Sequence, residues 1–265
     1  MRNGIKPIFI SHGGGPMPLL GDPGHSEMIA CLEALAGRLQ LPDAVVVVSA
    51  HWEEDVATIT ASSTPSLIYD YYGFPDESYT FTYPCSGDPE LAREIYRLLD
   101  TSGIEAKLDH ERGLDHGVFI PLKIMYPEAN IPCIQLSLLR SLDPSAHIAI
   151  GKALSGLSQR NILLIGSGFS FHNMKAFFAP DDAKTSELNH SFEQWLHDTC
   201  CNSEYSEEER VQKLTHWFDA PGGRFCHPRE EHLLPLHVCY GVSQQACSEP
   251  LKLKIMNKQS SMYVW

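Results

Sequence analysis

Five short runs of apolar, largely β-branched residues punctuate the chain: KPIFIS (6–11), DAVVVVSA (43–50), ATITAS (57–62), IPCIQLSL (131–138) and NILLIGSG (161–168). Their apolar positions are mostly consecutive rather than alternate, the pattern of strands covered on both faces. Between several of them the spacing changes to that of amphipathic helices, in EMIACLEALAGRL (27–39), PELAREIYRLLD (89–100) and PSAHIAIGKALSGL (144–157). Two more such stretches, ELNHSFEQWLHDTC (187–200) and EERVQKLTHWF (208–218), follow the NILLIGSG run. This order predicts an α/β fold with a central, mostly parallel sheet flanked by helices on both faces. LKLKIMN (251–257) and SMYVW (261–265) read as an antiparallel hairpin at the sheet edge, with its turn around KQSS. The segment 60–87 is loop-like and aromatic, and CCNSEYSEEER (200–210) reads as a solvated turn between helices. No repeat, low-complexity tract or Pro/Ser linker divides the sequence, so residues 1–265 are expected to form a single domain.

Composition narrows the partners. A formal charge of -13 disfavours nucleic acid and anionic membrane surfaces, since no basic stripe is available for phosphate. No apolar run approaches the roughly 20 residues of a spanning helix, and MRNGIKP lacks a signal-peptide core. A cytoplasmic protein is expected. The 8 cysteines contain no CxxC pair and are expected to be reduced thiols.

Histidine changes the picture, because several of the 13 sit where strands stop. KPIFIS is followed by His12, DAVVVVSA by His51, and NILLIGSGFSF by His172. In open α/β sheets the ligand crevice lies beyond the carboxyl ends of the strands. Imidazoles meeting there, with small neighbours such as Gly13, Gly14, Gly15, Gly166 and Gly168, point to a divalent transition-metal site at those ends. RGLDHGVFIPL adds His116 before a helix-like run, and HPREEHLLPLHVCYG adds His227, His232 and His237 beside Glu230 and Glu231. Pro228 suits a first helical turn, whereas Pro235 places the helix start near His232 or kinks it. His25, His110, His147, His190, His197, His216 and His237 sit in helical or charged contexts and are expected to be structural or on the surface.

Seven segments in order, SHGGGP (11–16), VVVVSAHW (45–52), YYGFPDESYTFTYPCSGDPELA (71–92), RGLDHGVFIPLKIMYP (112–127), IPCIQLSL (131–138), GSGFSFHNM (166–174) and HPREEHLLPL (227–236), resemble the class III extradiol ring-cleavage dioxygenases, and within them the 4,5-DOPA extradiol dioxygenase-like branch. The resemblance implies a non-haem Fe(II) site for activity, with Zn(II) possible in the isolated protein. It implies metal ligands at His12, His51 and His232, with His172 as the acid/base and a potential fourth ligand. His116 then becomes a second catalytic histidine of the pocket. The implied reaction inserts both atoms of O2 into a catechol, DOPA-like or another aromatic diol, to give a ring-opened semialdehyde. The small-molecule catechol and O2 are thus the expected partners. Two alternatives on the same fold are a zinc-dependent hydrolase and a non-enzymatic metal-binding protein. A serine esterase is disfavoured, because HGGG has no G-x-S-x-G elbow to serve.

Overall fold

The computed structural model describes residues 4–180 and 182–265. In chain order the main elements are β1 (Gly4–Ser11), α1 (Ser26–Arg38), β2 (Ala44–Glu54), β3 (Ala57–Thr60), α2 (Pro89–Thr101), β4 (Ala106–Asp109), α3 (His116–Met125), β5 (Cys133–Leu139), α4 (Pro144–Leu154) and β6 (Asn161–Gly168). They continue with α5 (Met174–Phe178), α6 (Ala183–Cys201), α7 (Glu207–Thr215), α8 (Gly223–Cys226), α9 (Leu234–Ser243), β7 (Glu249–Ile255) and β8 (Lys258–Val264). The strands form one sheet in the order β4-β3-β5-β2-β6-β1-β8-β7. Its centre, β5-β2-β6-β1, is parallel, whereas β3 runs antiparallel to β5 and β8 antiparallel to β1. The mostly parallel α/β expectation therefore holds.

The consecutive apolar runs are buried as their pattern demands. Val45, Val46, Val47 and Val48 in β2 and Leu163, Leu164 and Ile165 in β6 are all sealed from solvent. Alternation along β6 assigns the two faces. A Cβ at Gly166 or Gly168 would run into the backbone of Pro235 or His232, at the start of α9. Ser167, between them, hydrogen-bonds Gly117 of α3 on the other side. Helices thus cover both faces, with α9 against α4 on one and α3 against α1 on the other. Among the described residues no helix is long and apolar enough to cross a membrane.

Local details depart from expectation. The edge hairpin exists, but its turn is Met256–Asn257, and KQSS lies within β8. Both turn residues have positive φ (48° and 66°), the two-residue form whose twist matches that of the flanking strands. β4 was not expected, because AKLD carries no β-branched or aromatic residue to mark a strand. Pro228 precedes a turn rather than a helix; α9 starts at Leu234, and Pro235 occupies its first turn without a kink. The 200–210 turn is not merely solvated. Arg210 is buried there and donates to the carbonyls of Asn202 (2.9 Å) and Tyr205 (3.4 Å). Cys201 and Cys247 form a disulfide, which corrects the expectation of reduced thiols throughout. The end of α6 brings their Cα atoms to 4.8 Å, within bridging range.

Candidate metal centre

His12 follows β1 directly, and the three glycines after it turn the chain away. Gly13 has φ of 80°, and a Cβ there would meet Pro18 and His25. His25, expected to be structural, is buried and braces this loop. Its Nε2 accepts from the Gly14 amide (2.9 Å), while its Nδ1 lies 2.7 Å from Asp22 Oδ2.

His51 is not at a strand end. β2 continues through it to Glu54, but the ladder with β5 slips between Val48 and Glu53. A bulge of this kind re-aims side chains at the rim of a sheet. Here it turns His51 toward His12, with the two Nε2 atoms 3.0 Å apart. His232 arrives from the turn before α9. Its carbonyl accepts from the Phe169 amide (2.9 Å) at the end of β6, an approach that only Gly168 leaves open.

The three rings form a nearly equilateral group, with centroid separations of 4.8 Å (His12–His51), 5.2 Å (His12–His232) and 5.0 Å (His51–His232). His116, the first residue of α3, stands 4.0 Å from His51 and 5.4 Å from His12. His172 stacks on His232 at 3.3 Å. All five expected histidines line one cavity of about 450 Å³. His227 and His237 lie outside it, buried among Phe192, Trp217 and the backbone of Leu214. Two donor sets with no residue in common are each compact enough for one ion: His12, His51 and His116, and His172, Glu231 and His232.

The electrostatics keep lone pairs available. Burial pushes His12 and His51 well below the ordinary histidine value, and the neighbouring imidazoles push them further. Burial and then His172 bring His232 down to about 3, against the opposing pull of Glu231. Burial would raise the Glu231 carboxyl, but His172 and His232 outweigh it and hold that group well below the usual carboxylate range. At neutral pH these three histidines are therefore uncharged. Two of them turn Nδ1 to a hydrogen-bond acceptor, His12 to Ser167 Oγ (3.0 Å) and His232 to Glu231 Oε1 (3.0 Å), while His51 Nδ1 lies 3.9 Å from Asp70 Oδ2, beyond hydrogen-bond range. Such partners orient metal-binding imidazoles and direct the free Nε2 inward. The 3.0 Å between the Nε2 atoms of His12 and His51 suits a shared cation, since ligands at about 2.0–2.1 Å and right angles stand about 2.9 Å apart. The donor set fits a divalent transition metal.

Asp70 and Ser167 had no assigned role in the sequence, and Glu231, which from its place beside His232 could have been the third ligand instead, is that histidine's hydrogen-bond partner. Asp70 accepts from both His116 Nδ1 (2.8 Å) and the His116 amide (3.0 Å). Behind them, Asp115 is buried and accepts from Ser49 Oγ (2.7 Å) and from Gln135. Burial, with Asp70 nearby, raises its carboxyl.

The family described as the catalytic LigB subunit of aromatic ring-opening dioxygenase matches residues 8–263. The chain belongs to this family. It is an extradiol dioxygenase of the class III type and falls in the branch similar to the 4,5-DOPA enzymes. Similar proteins include dioxygenase tasH of Hapsidospora irregularis, 38% identical over 92% of this chain and 80% of that protein. The 4,5-DOPA dioxygenase extradiol of Beta vulgaris is 37% identical over 89% of this chain and 86% of its own length. Among solved structures, an uncharacterized protein of Escherichia coli K12 superimposes with a TM-score of 0.76 at 28% identity, covering 98% of both chains. LigB-family dioxygenases depend on a metal, and the clustered histidines His12, His51 and His116 supply a group able to hold one.

Proposed function

We propose that the chain uses O2 to open the ring of a catechol, on one Fe(II) ion held by the Nε2 atoms of His12, His51 and His232. The observation that carries this reading is the near-equilateral trio of neutral rings, two of them with the outer nitrogen hydrogen-bonded and the third near the Asp70 carboxylate. His116 is set apart by unequal spacing from the same rings. The chemistry supplied by Fe(II), when bound, is Lewis acidity toward a diol and electron exchange with dioxygen, the second of which zinc lacks.

The chain's own groups do the rest. His116 Nδ1 donates to Asp70, which leaves its Nε2 as the acceptor for a substrate hydroxyl. His172 has Nδ1 3.4 Å from Glu231 Oε1, so its other nitrogen is the one that exchanges a proton with the reacting diol. The stack on His232 fixes the plane of His172 beside the trio. Tyr71, Phe74 and Phe169 wall the cavity and exclude water from the ring. Residues 1–265 act as one catalytic domain in this proposal, supported by β1 and β8 being sheet neighbours although they come from opposite ends of the chain.

The test is anaerobic loading with Fe(II), then catechol and air. The expected result is one O2 consumed per ring with a visible yellow product; metal binding without oxygen uptake would overturn the proposal. His116→Gln and His172→Gln are expected to keep the metal and lose about 10²–10⁴ in turnover. Loss of metal from either variant would move that residue into the ligand set.

A further inference from the structure

The walls of the cavity say what the catechol carries. Among the described residues, no Lys, Arg, Asp or Glu side chain lines it. Its mouth is formed by Tyr72, Met174 and Phe178, which are 91%, 52% and 73% exposed. These are three of the five large hydrophobic side chains exposed on the described surface, and they gather at one opening above a buried polar centre. Scattered exposed apolar residues need no explanation, but a cluster at a cavity rim marks a surface that a ligand covers. Met256, in the turn of the β7–β8 hairpin, adds a fourth apolar group from another part of the chain.

The cations near the site are committed elsewhere. Arg229 is gripped by both oxygens of Glu53 (2.6 and 2.7 Å) and lies 3.4 Å from Glu231. Arg112 pairs with Asp115 at 3.4 Å and stacks on Trp52, and Lys123 donates to the Thr82 carbonyl. The acids nearest the histidines, Asp70 and Glu231, hold imidazoles from behind through Oδ1 and Oε1, and neither lines the cavity, so a substrate ammonium meets no carboxylate on its walls. A carboxylate on the substituent would shed water here without a counter-charge, which is costly. Among the described residues near the site, the one cation open to it is exposed Lys175, in the adjoining cavity behind His172 and Met174.

We infer that the substrate is a catechol bearing an uncharged, apolar substituent, with the diol at the histidines and the substituent between Tyr72, Met174 and Phe178. The inference rests on the ring-cleavage reading for the position of the diol. It departs from a zwitterionic side chain like that of DOPA, the compound for which several relatives are named.

The probes are catechol, 4-methylcatechol, 4-propylcatechol, 3-(3,4-dihydroxyphenyl)propionate and DOPA. Binding is measured calorimetrically without oxygen on the Zn(II)-loaded protein, and oxygen uptake is measured on the Fe(II)-loaded protein. Each added methylene is expected to tighten binding about threefold to fourfold. 4-Propylcatechol should bind at least about tenfold more tightly than the propionate or DOPA, a margin set by the unpaired charge. Phe178→Ser should shrink the alkyl preference by about fivefold, the loss of roughly one to two buried methylenes. A propionate or DOPA complex as tight as that of 4-propylcatechol overturns the inference, and its loss in Lys175→Ala would name the anchor responsible. Absence of oxygen uptake with every probe would sink the dioxygenase reading instead, while the binding order still decides the substituent.

Discussion

One hydroxyl in β6 links a helix defect to the metal centre. Pro121 sits inside α3 and has no N–H, so the Gly117 carbonyl four residues earlier lacks its helical donor. Ser167 Oγ donates to that carbonyl, and a remaining lone pair faces His12 Nδ1 at 3.0 Å. With its proton spent on Gly117, Ser167 is an acceptor for His12, and His12 Nε2 is left bare for a cation. Ser167→Ala is therefore expected to weaken metal affinity by on the order of 10–100-fold and, with the Gly117 carbonyl left without a donor, to cost about 1–3 kcal/mol of stability, with Ser167→Thr recovering part of both losses. Chelator-competition titration measures the affinity; an unaltered value would show the relay to be idle. At this scale the chemistry-bearing histidines were legible, because each stands beside a recognisable apolar run. Ser167 and Asp70 were not, since their roles arise from hydrogen bonds between segments far apart in sequence.

The elements followed the hydrophobic pattern well, and the misses have local causes. β2 runs on past His51 because a bulge, invisible in composition, lets a strand continue while breaking register. The hairpin turn fell two residues from its expected place because Met256 and Asn257 adopt positive φ, for which Met gives no signal. The glycines of NILLIGSG were read as room beside a histidine. Their work is closer to scaffolding, since Gly168 lets the His232 carbonyl rest on the end of β6. Gly168→Ala should push that backbone away, with a destabilisation of about 1–3 kcal/mol from overpacking and a fall in metal affinity. Chemical denaturation together with metal titration checks both. Retention of full affinity would mean that His232 reaches the ion by another path.

For the whole molecule, buried neutral histidines set the response to acid. Burial lowers His147 to about 4 and His227 to about 3, and His232 lies at about 3 as well. Between those values and the unfolded value of about 6.5, the unfolded chain binds protons that the folded one refuses. Stability of the metal-free protein is thus full above about pH 6.5 and falls as pH drops toward 4, by up to about 1.4 kcal/mol per pH unit per group. Glu193, raised by burial to about 7, and Asp115, also raised by burial, act oppositely, but the lowered histidines, His12 and His51 among them, outnumber these two. Denaturant midpoints should therefore be lower at pH 5 than at pH 7; equal midpoints would contradict the burial of these rings. The place of β1 in the sheet has a consequence for biosynthesis. It carries the first imidazole of the cluster, yet its neighbours are β6 and β8, so a ribosome releases it long before either partner exists. Metal capture is accordingly a late event, since His232 and the β8 neighbour of β1 are translated near the end, and a chain that stopped before β6 would leave a sticky apolar ribbon and no centre to load.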